Sequence, residues 1–213
     1  MTRSFWRGIW ELFQPAPKRS KLIERLMSKP RVAICVGHSR SGDNGATSVS
    51  GVSEWDFNVD IAGRVKIRLE GDGIDVDIVQ DYHGRSYGSA MRWLARLLKQ
   101  SQVDIAVELH FNAASPSAEG FEYLHWQTSK NGKRLAQCLL DSHAKFFPET
   151  KNRGLKPKGP GSRGSMFLKL THCPAVITEP FFGTNLDEWN LYSANRGYLA
   201  DSYANGIANY LNS

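Results

Sequence analysis

From Arg31 to the C-terminus, short apolar runs alternate with longer stretches of helical period, and this alternation constrains the chain more than any other feature. Strands are expected at 31–37, 74–79, 103–110, 119–126 and 175–181, with a weaker one near 165–170. Helices are expected at 53–70, 86–101, 130–146, 185–193 and 196–212. Ser53 suits an N-cap and Gly71 a C-terminal stop for the first helix. Apolar runs separated by helical periods imply βαβ units, hence a twisted, largely parallel sheet flanked by helices on both faces. The expected class is a single α/β domain, and the Gly/Pro/Lys-rich stretch 151–165 reads as a long functional loop.

Residues 1–30 have a different character. Phe5, Trp6, Ile9, Trp10, Leu12 and Phe13 follow helical spacing until Pro15 and Pro17, and a second amphipathic stretch follows at 18–28. Residues 1–31 hold eight basic side chains against two acidic ones, which accounts for the whole formal charge of +6. The 19 basic and 19 acidic residues that remain cancel, so composition supports no uniformly basic surface on the body and no nucleic-acid partner is expected. The organisation expected is a basic amphipathic leader at 1–30 and a catalytic domain at 31–213. Two readings of the leader stand side by side, a helix pair packed on the domain or an element that touches anionic membrane through residues 1–29. Charges interrupt each apolar stretch of the leader, so no secretory signal peptide is read there. No run approaches the ~20 apolar residues of a membrane span. Cys35, Cys138 and Cys173 match no zinc-finger spacing and read as reduced thiols from a reducing compartment.

Chemistry concentrates where apolar runs end. His38 closes Val-Ala-Ile-Cys-Val-Gly-His, His110 closes Ile-Ala-Val-Glu-Leu-His, Glu179 follows Pro-Ala-Val-Ile-Thr, and Glu54 opens a helix after Ser53. In an open parallel sheet, ligands collect at the carboxyl ends of the strands. Two imidazoles and a carboxylate are a known shell for a catalytic zinc with one open position, and a second carboxylate supplies proton transfer. Taken singly, a strand-end histidine is more often structural. Glu179 is harder to explain that way, because an unpaired carboxylate among Val176, Ile177, Pro180 and Phe181 is costly. Phosphate-loop and His-Glu-x-x-His patterns do not occur in the chain.

Read together, Gly37-His38, Glu54, His110-x-Asn112-Ala113, Asn152-Arg153-Gly154-Leu155-Lys156 and Pro174-Ala-Val-x-x-Glu179-x-x-Phe182 resemble the zinc-dependent N-acetylmuramoyl-L-alanine amidases of the Amidase_3 group, over residues 31–212. The resemblance implies a phosphorylase/hydrolase-like sheet and Zn²⁺ held by His38, Glu54 and His110. It also implies Glu179 as catalytic residue and substrate contacts from Asn112, Arg153 and Lys156. The implied reaction cleaves the amide between N-acetylmuramic acid and L-alanine in peptidoglycan. A lysin-like enzyme made in the cytoplasm and released onto the wall during phage lysis is the expected setting. Other zinc amidohydrolases or carboxypeptidase-like enzymes on this scaffold, and a non-catalytic wall- or membrane-binding protein, are the alternatives. Oligomeric state is not legible.

The chain departs from the family pattern at Gly37-His38-Ser39, at Thr178-Glu179-Pro180-Phe181-Phe182, and at Glu108, where the family tends to have serine. Strand alternation puts Glu108 on the face of His110. There it either orients that imidazole or pairs with a lysine or arginine.

Overall fold

The computed structural model describes residues 28–39 and 42–213. The leader and its membrane reading therefore lie outside the described residues, apart from 28–30. In chain order the elements are β1 Arg31–Val36, α1 Glu54–Gly71, β2 Asp75–Val79, α2 Tyr87–Gln100, β3 Ile105–Leu109 and β4 Phe121–Trp126. They continue with α3 Lys130–Phe146, β5 Asn152–Lys158, α4 Ser165–Leu170, β6 Ala175–Glu179, α5 Leu186–Ala194 and α6 Arg196–Leu211. The six strands form one sheet in the order β2-β1-β3-β6-β4-β5. Neighbours from β2 to β6 run parallel. β4 runs antiparallel to β6 and parallel to β5. The expected α/β sheet is present, with its last two strands reversed.

The central strands are apolar on both faces because both are covered. Val32, Ile34 and Val36 of β1 point into a cluster with Phe57, Ile61, Val65, Leu139, Tyr203 and Ile207, from α1, α3 and α6. Ala33 and Cys35 point the other way, against Leu94, Leu98, Phe167 and Ile177, from α2, α4 and β6. The three cysteines are free thiols, Cys35 buried and the other two partly so. Among the described residues no helix is long and apolar enough to cross a membrane.

Two expectations are corrected. The weak strand near 165–170 is the helix α4, whose buried residues Ser165, Phe167 and Leu168 fall at helical spacing. An apolar run this short carries no decisive period. The stretch 151–165 read as loop contains β5. This is an edge strand bonded only to β4, where Pro157 and its missing N–H are tolerated.

His143 is fully buried in α3 and bridges two phenols, Nδ1 at 2.9 Å from Tyr123 Oη and Nε2 at 2.8 Å from Tyr192 Oη. Burial pulls its pKa down to about 3. The unfolded imidazole takes up a proton near pH 6.5 and the folded one does not until about 3, so the unfolded state binds more protons in that window. The stability from neutral His143 is complete above pH 6.5 and is lost as pH falls toward 3, by roughly 1.4 kcal/mol per pH unit. Urea unfolding at pH 7, 6, 5 and 4 is expected to show this slope in the parent and a shallower one in His143→Gln. Equal slopes exclude His143 as the source.

Candidate metal centre

Each site residue is placed by its element. Ladder hydrogen bonds continue past the strand ends, from Gly37 N–H to the Leu109 carbonyl at 3.0 Å and from His110 N–H to the Thr178 carbonyl at 3.1 Å. These align the ends of β1, β3 and β6, and so bring His38, His110 and Glu179 to one rim. His38 sits at φ 68°, a left-handed conformation uncommon outside glycine and typical of residues held for function. Glu54 comes from the opposite layer. Ser53 caps α1, its hydroxyl accepting from Asp56 N–H, and this fixes Glu54 as the first helical residue.

One donor atom from each of His38, Glu54 and His110 lies within 4.8 Å of the others. Glu54 is the hub: Oε1 is 2.8 Å from His110 Nδ1 and Oε2 is 3.3 Å from His38 Nε2. Backbone N–H groups of Phe111 (3.1 Å) and Ala46 (2.9 Å) donate to the same carboxylate. The two imidazoles meet edge to face, with centroids 5.0 Å apart. Burial would raise the Glu54 carboxyl, but the hydrogen bond from His110 and the charge of the neighbouring His38 outweigh it and hold the group far below the usual carboxylate range. Burial would likewise lower His110, yet Glu108 and Glu54 lift it well above an ordinary imidazole. For His38, burial is again opposed, by Glu54 and Asp43, and its pKa is raised.

The outward nitrogens also face carboxylates. His38 Nδ1 is 2.9 Å from Asp43 Oδ1, and His110 Nε2 is 3.4 Å from Glu108 Oε2. That leaves His38 Nε2 and His110 Nδ1 both turned toward Glu54. His38 Nε2 is shielded from solvent and has no hydrogen-bond partner. Two imidazole nitrogens and a carboxylate converging on one point, one of the nitrogens orphaned, fit a borderline divalent cation.

Glu179 ends β6 with Oε2 shielded and without a partner. Burial pushes its pKa up to about 7, with His110 drawing it down and Glu54 adding to the rise. A carboxyl poised there suits proton transfer at neutral pH. Glu122, directly across the β4–β6 ladder from Glu179, holds the basic residues expected to contact substrate. Arg153 Nε donates to Glu122 Oε2 at 2.8 Å, and Lys156 Nζ lies 4.0 Å from the same atom. Arg153 also lies over the Phe182 ring at 5.1 Å. Asn112 joins the two rim loops, its N–H donating to the Phe181 carbonyl and its carbonyl accepting from Gly183 N–H, both at 2.8 Å. Its Nδ2 is buried and unpartnered.

All eight residues singled out from the sequence therefore lie at or beside this rim. Asp43, Tyr82, Glu122 and Gly37 also shape it, although the sequence reading assigned them no role. Asp43, Tyr82 and Glu122 reach it through contacts whose partners are set only by the folded chain, and Gly37 signalled itself only as the residue before His38.

An α/β sheet with a His/Glu/His cluster and a shielded carboxylate on its C-terminal rim is consistent with a metal-binding hydrolase. The chain belongs to the Amidase_3 family, described as N-acetylmuramoyl-L-alanine amidase, whose sequence model matches residues 32–209. It is 28% identical over 184 residues to the endolysin of Bacillus phage SPP1, a match covering 85% of this chain and 66% of that protein. It is 26% identical over 160 residues to the N-acetylmuramoyl-L-alanine amidase LytC of Bacillus subtilis (strain 168), covering 74% of this chain and 30% of that one. The chain thus spans just under two thirds of the endolysin and less than a third of LytC. The fold is that of N-acetylmuramoyl-L-alanine amidase AmiC2 of Nostoc punctiforme, with TM-score 0.74, 22% identity, and coverage of 87% of this chain and 99% of that one.

Proposed function

We propose that this chain is a peptidoglycan amidase that cleaves the bond between N-acetylmuramic acid and L-alanine, with Zn²⁺ held by His38, Glu54 and His110. The observation that carries the reading is the convergence of those three side chains beside the shielded Glu179, within a chain whose family match spans nearly the whole described domain. When bound, the ion supplies Lewis-acid charge for the scissile carbonyl and lowers the pKa of water toward ~7. Glu54 anchors the imidazoles with its two oxygens, and its backbone bonds to Ala46 and Phe111 keep it from swinging away.

Glu179 takes the proton from the attacking water and returns one to the leaving amine of L-alanine. Its carboxyl, lifted to about 7 by burial, is basic enough for the first transfer and acidic enough for the second. A divalent cation in the triad would add to the pull of His110 and draw that pKa lower. The unpartnered Nδ2 of Asn112 is a donor for a substrate carbonyl. Arg153 and Lys156 are steered by Glu122 to the Glu179 side of the sheet, where stem-peptide carboxylates accept their remaining N–H groups. The similarity to a phage endolysin supports action on the wall after release from the cytoplasm.

A digest of purified peptidoglycan tests the assignment. Each cut is expected to free an L-alanine amino terminus and no new reducing sugar end. A chelator should abolish the release, and stoichiometric Zn²⁺ should restore it. Reducing ends in the product, or full activity after the chelator, excludes the proposal.

A further inference from the structure

We propose that Tyr82 and Glu108 form a buried positioning pair that sets which nitrogen of His110 faces the metal and so tightens the hold on zinc. The proposal rests on the metal reading above. Glu108 is the penultimate residue of β3 and is 4% exposed. Alternation places it on the face of Ala106, and its neighbour across the β1 ladder is the buried Cys35. A bare carboxylate in such surroundings is costly. Among the described residues no lysine or arginine forms an ion pair with it, so the charge-pairing alternative raised by the sequence does not account for it.

Its two oxygens are used differently. Oε1 accepts from the Tyr82 hydroxyl at 2.9 Å, and Oε2 lies 3.4 Å from His110 Nε2. Tyr82 follows β2 and packs against the apolar cluster beneath α2, so its phenol is a fixed anchor for the first oxygen. The second oxygen is thereby aimed at His110. A neutral imidazole carries a single N–H. With Glu108 accepting at Nε2, a neutral, metal-bound His110 would present its lone pair from Nδ1, the nitrogen that without the ion donates to Glu54 at 2.8 Å. Asp43 stands in the same relation to His38, but it is exposed where Glu108 is buried. The Glu108 contact is therefore less screened by water. Tyr82 is the less obvious half, since it touches neither imidazole directly and acts through the carboxylate.

The test compares the full-length parent with Glu108→Gln and Tyr82→Phe. Zinc dissociation constants come from competition with a chromophoric chelator, and the visible absorption of the Co²⁺-substituted proteins reports the ligand field. Glu108→Gln is expected to weaken zinc binding about 10–100-fold. Tyr82→Phe, which removes one hydrogen bond from the anchor, is expected to weaken it about 2–10-fold. Both should alter the Co²⁺ bands, a change that a purely structural loss of stability would not cause. Parent-like affinity and an unchanged Co²⁺ spectrum in Glu108→Gln overturn the pair. Should that variant not fold, an unchanged zinc affinity in Tyr82→Phe overturns it equally. A parent chain that holds no zinc overturns the metal reading itself and this inference with it. A parent that holds zinc, beside variants that hold it as tightly, overturns this inference alone.

Discussion

Glu179→Gln will keep its zinc, lose about 10²–10⁴-fold in peptidoglycan hydrolysis, and fold more stably than the parent at neutral pH. The first two effects follow from a carboxylate that moves protons and is not one of the three converging donors. The third follows from its burial. The folded carboxyl titrates at about 7 and the unfolded one at 4.5, so between those values the folded state binds more protons. Stability then falls as pH rises through that window, because the carboxyl must ionise with one oxygen shielded from water and unpartnered. At pH 7 the cost in the metal-free chain is up to about 3 kcal/mol, and a neutral amide recovers part of it. Denaturant unfolding of the metal-free proteins at pH 7 and pH 4.5 measures this. The variant should gain about 1–3 kcal/mol at pH 7 and little at pH 4.5. Parent-level hydrolysis by Glu179→Gln removes the carboxylate from the mechanism, and an equal gain at both pH values removes the burial argument.

Gly37→Ala will lose zinc affinity by about 10–100-fold, with a comparable loss of activity, while the sheet remains folded. Gly37 follows β1 directly, and a Cβ there would lie inside the van der Waals envelope of the His110 ring, 2.6 Å from Nδ1. No left-handed φ protects this glycine, so the backbone itself accepts alanine. The imidazole is what must yield. It is held between Glu54 and Glu108, and any rotation that clears the new methyl breaks one of those contacts. Gly63→Ala is the control, since that glycine lies within α1 with open space around it. The zinc dissociation constant and far-UV circular dichroism of both variants decide the matter. A Gly37→Ala protein that holds zinc as tightly as the parent shows that His110 does not depend on the empty volume beside Gly37.

The parts of the fold read correctly are those with a strong local signal, β-branched apolar runs for strands and caps for helices. β1, β3 and β6 are short apolar runs buried on both faces, and α1 announces both its start at Ser53 and its end at Gly71. The rim followed from the same signal, because His38, His110 and Glu179 stand at or just beyond the ends of such runs. The segments misread are those whose local signal is weak or contrary. β5 carries Gly154 and Pro157, the composition of a loop, and is a strand only because β4 offers it a ladder on one side. The stretch 165–170 is as short as the strands read correctly but holds no β-branched residue, so neither its period nor its composition marks it as a strand. The antiparallel turn at β4 left no trace in composition. Arg153 and Lys156 read from the sequence as substrate contacts, but nothing in it signalled that Glu122 engages both.

By itself, then, the sequence determined the alternation of strands and helices, the end of the sheet at which polar chemistry collects, and the residue types available there. Those properties depend on hydrophobic period and on neighbours in the chain. Only the tertiary structure decided that Glu54 would bridge two imidazoles from different strands, that Asp43 and Glu108 would stand behind them, and that one Glu179 oxygen would be shielded without a partner. Hydrogen bonds and pKa shifts depend on separations of a few ångströms and on exclusion of water. Residues far apart in the chain acquire those separations only when strand register and helix packing bring them together.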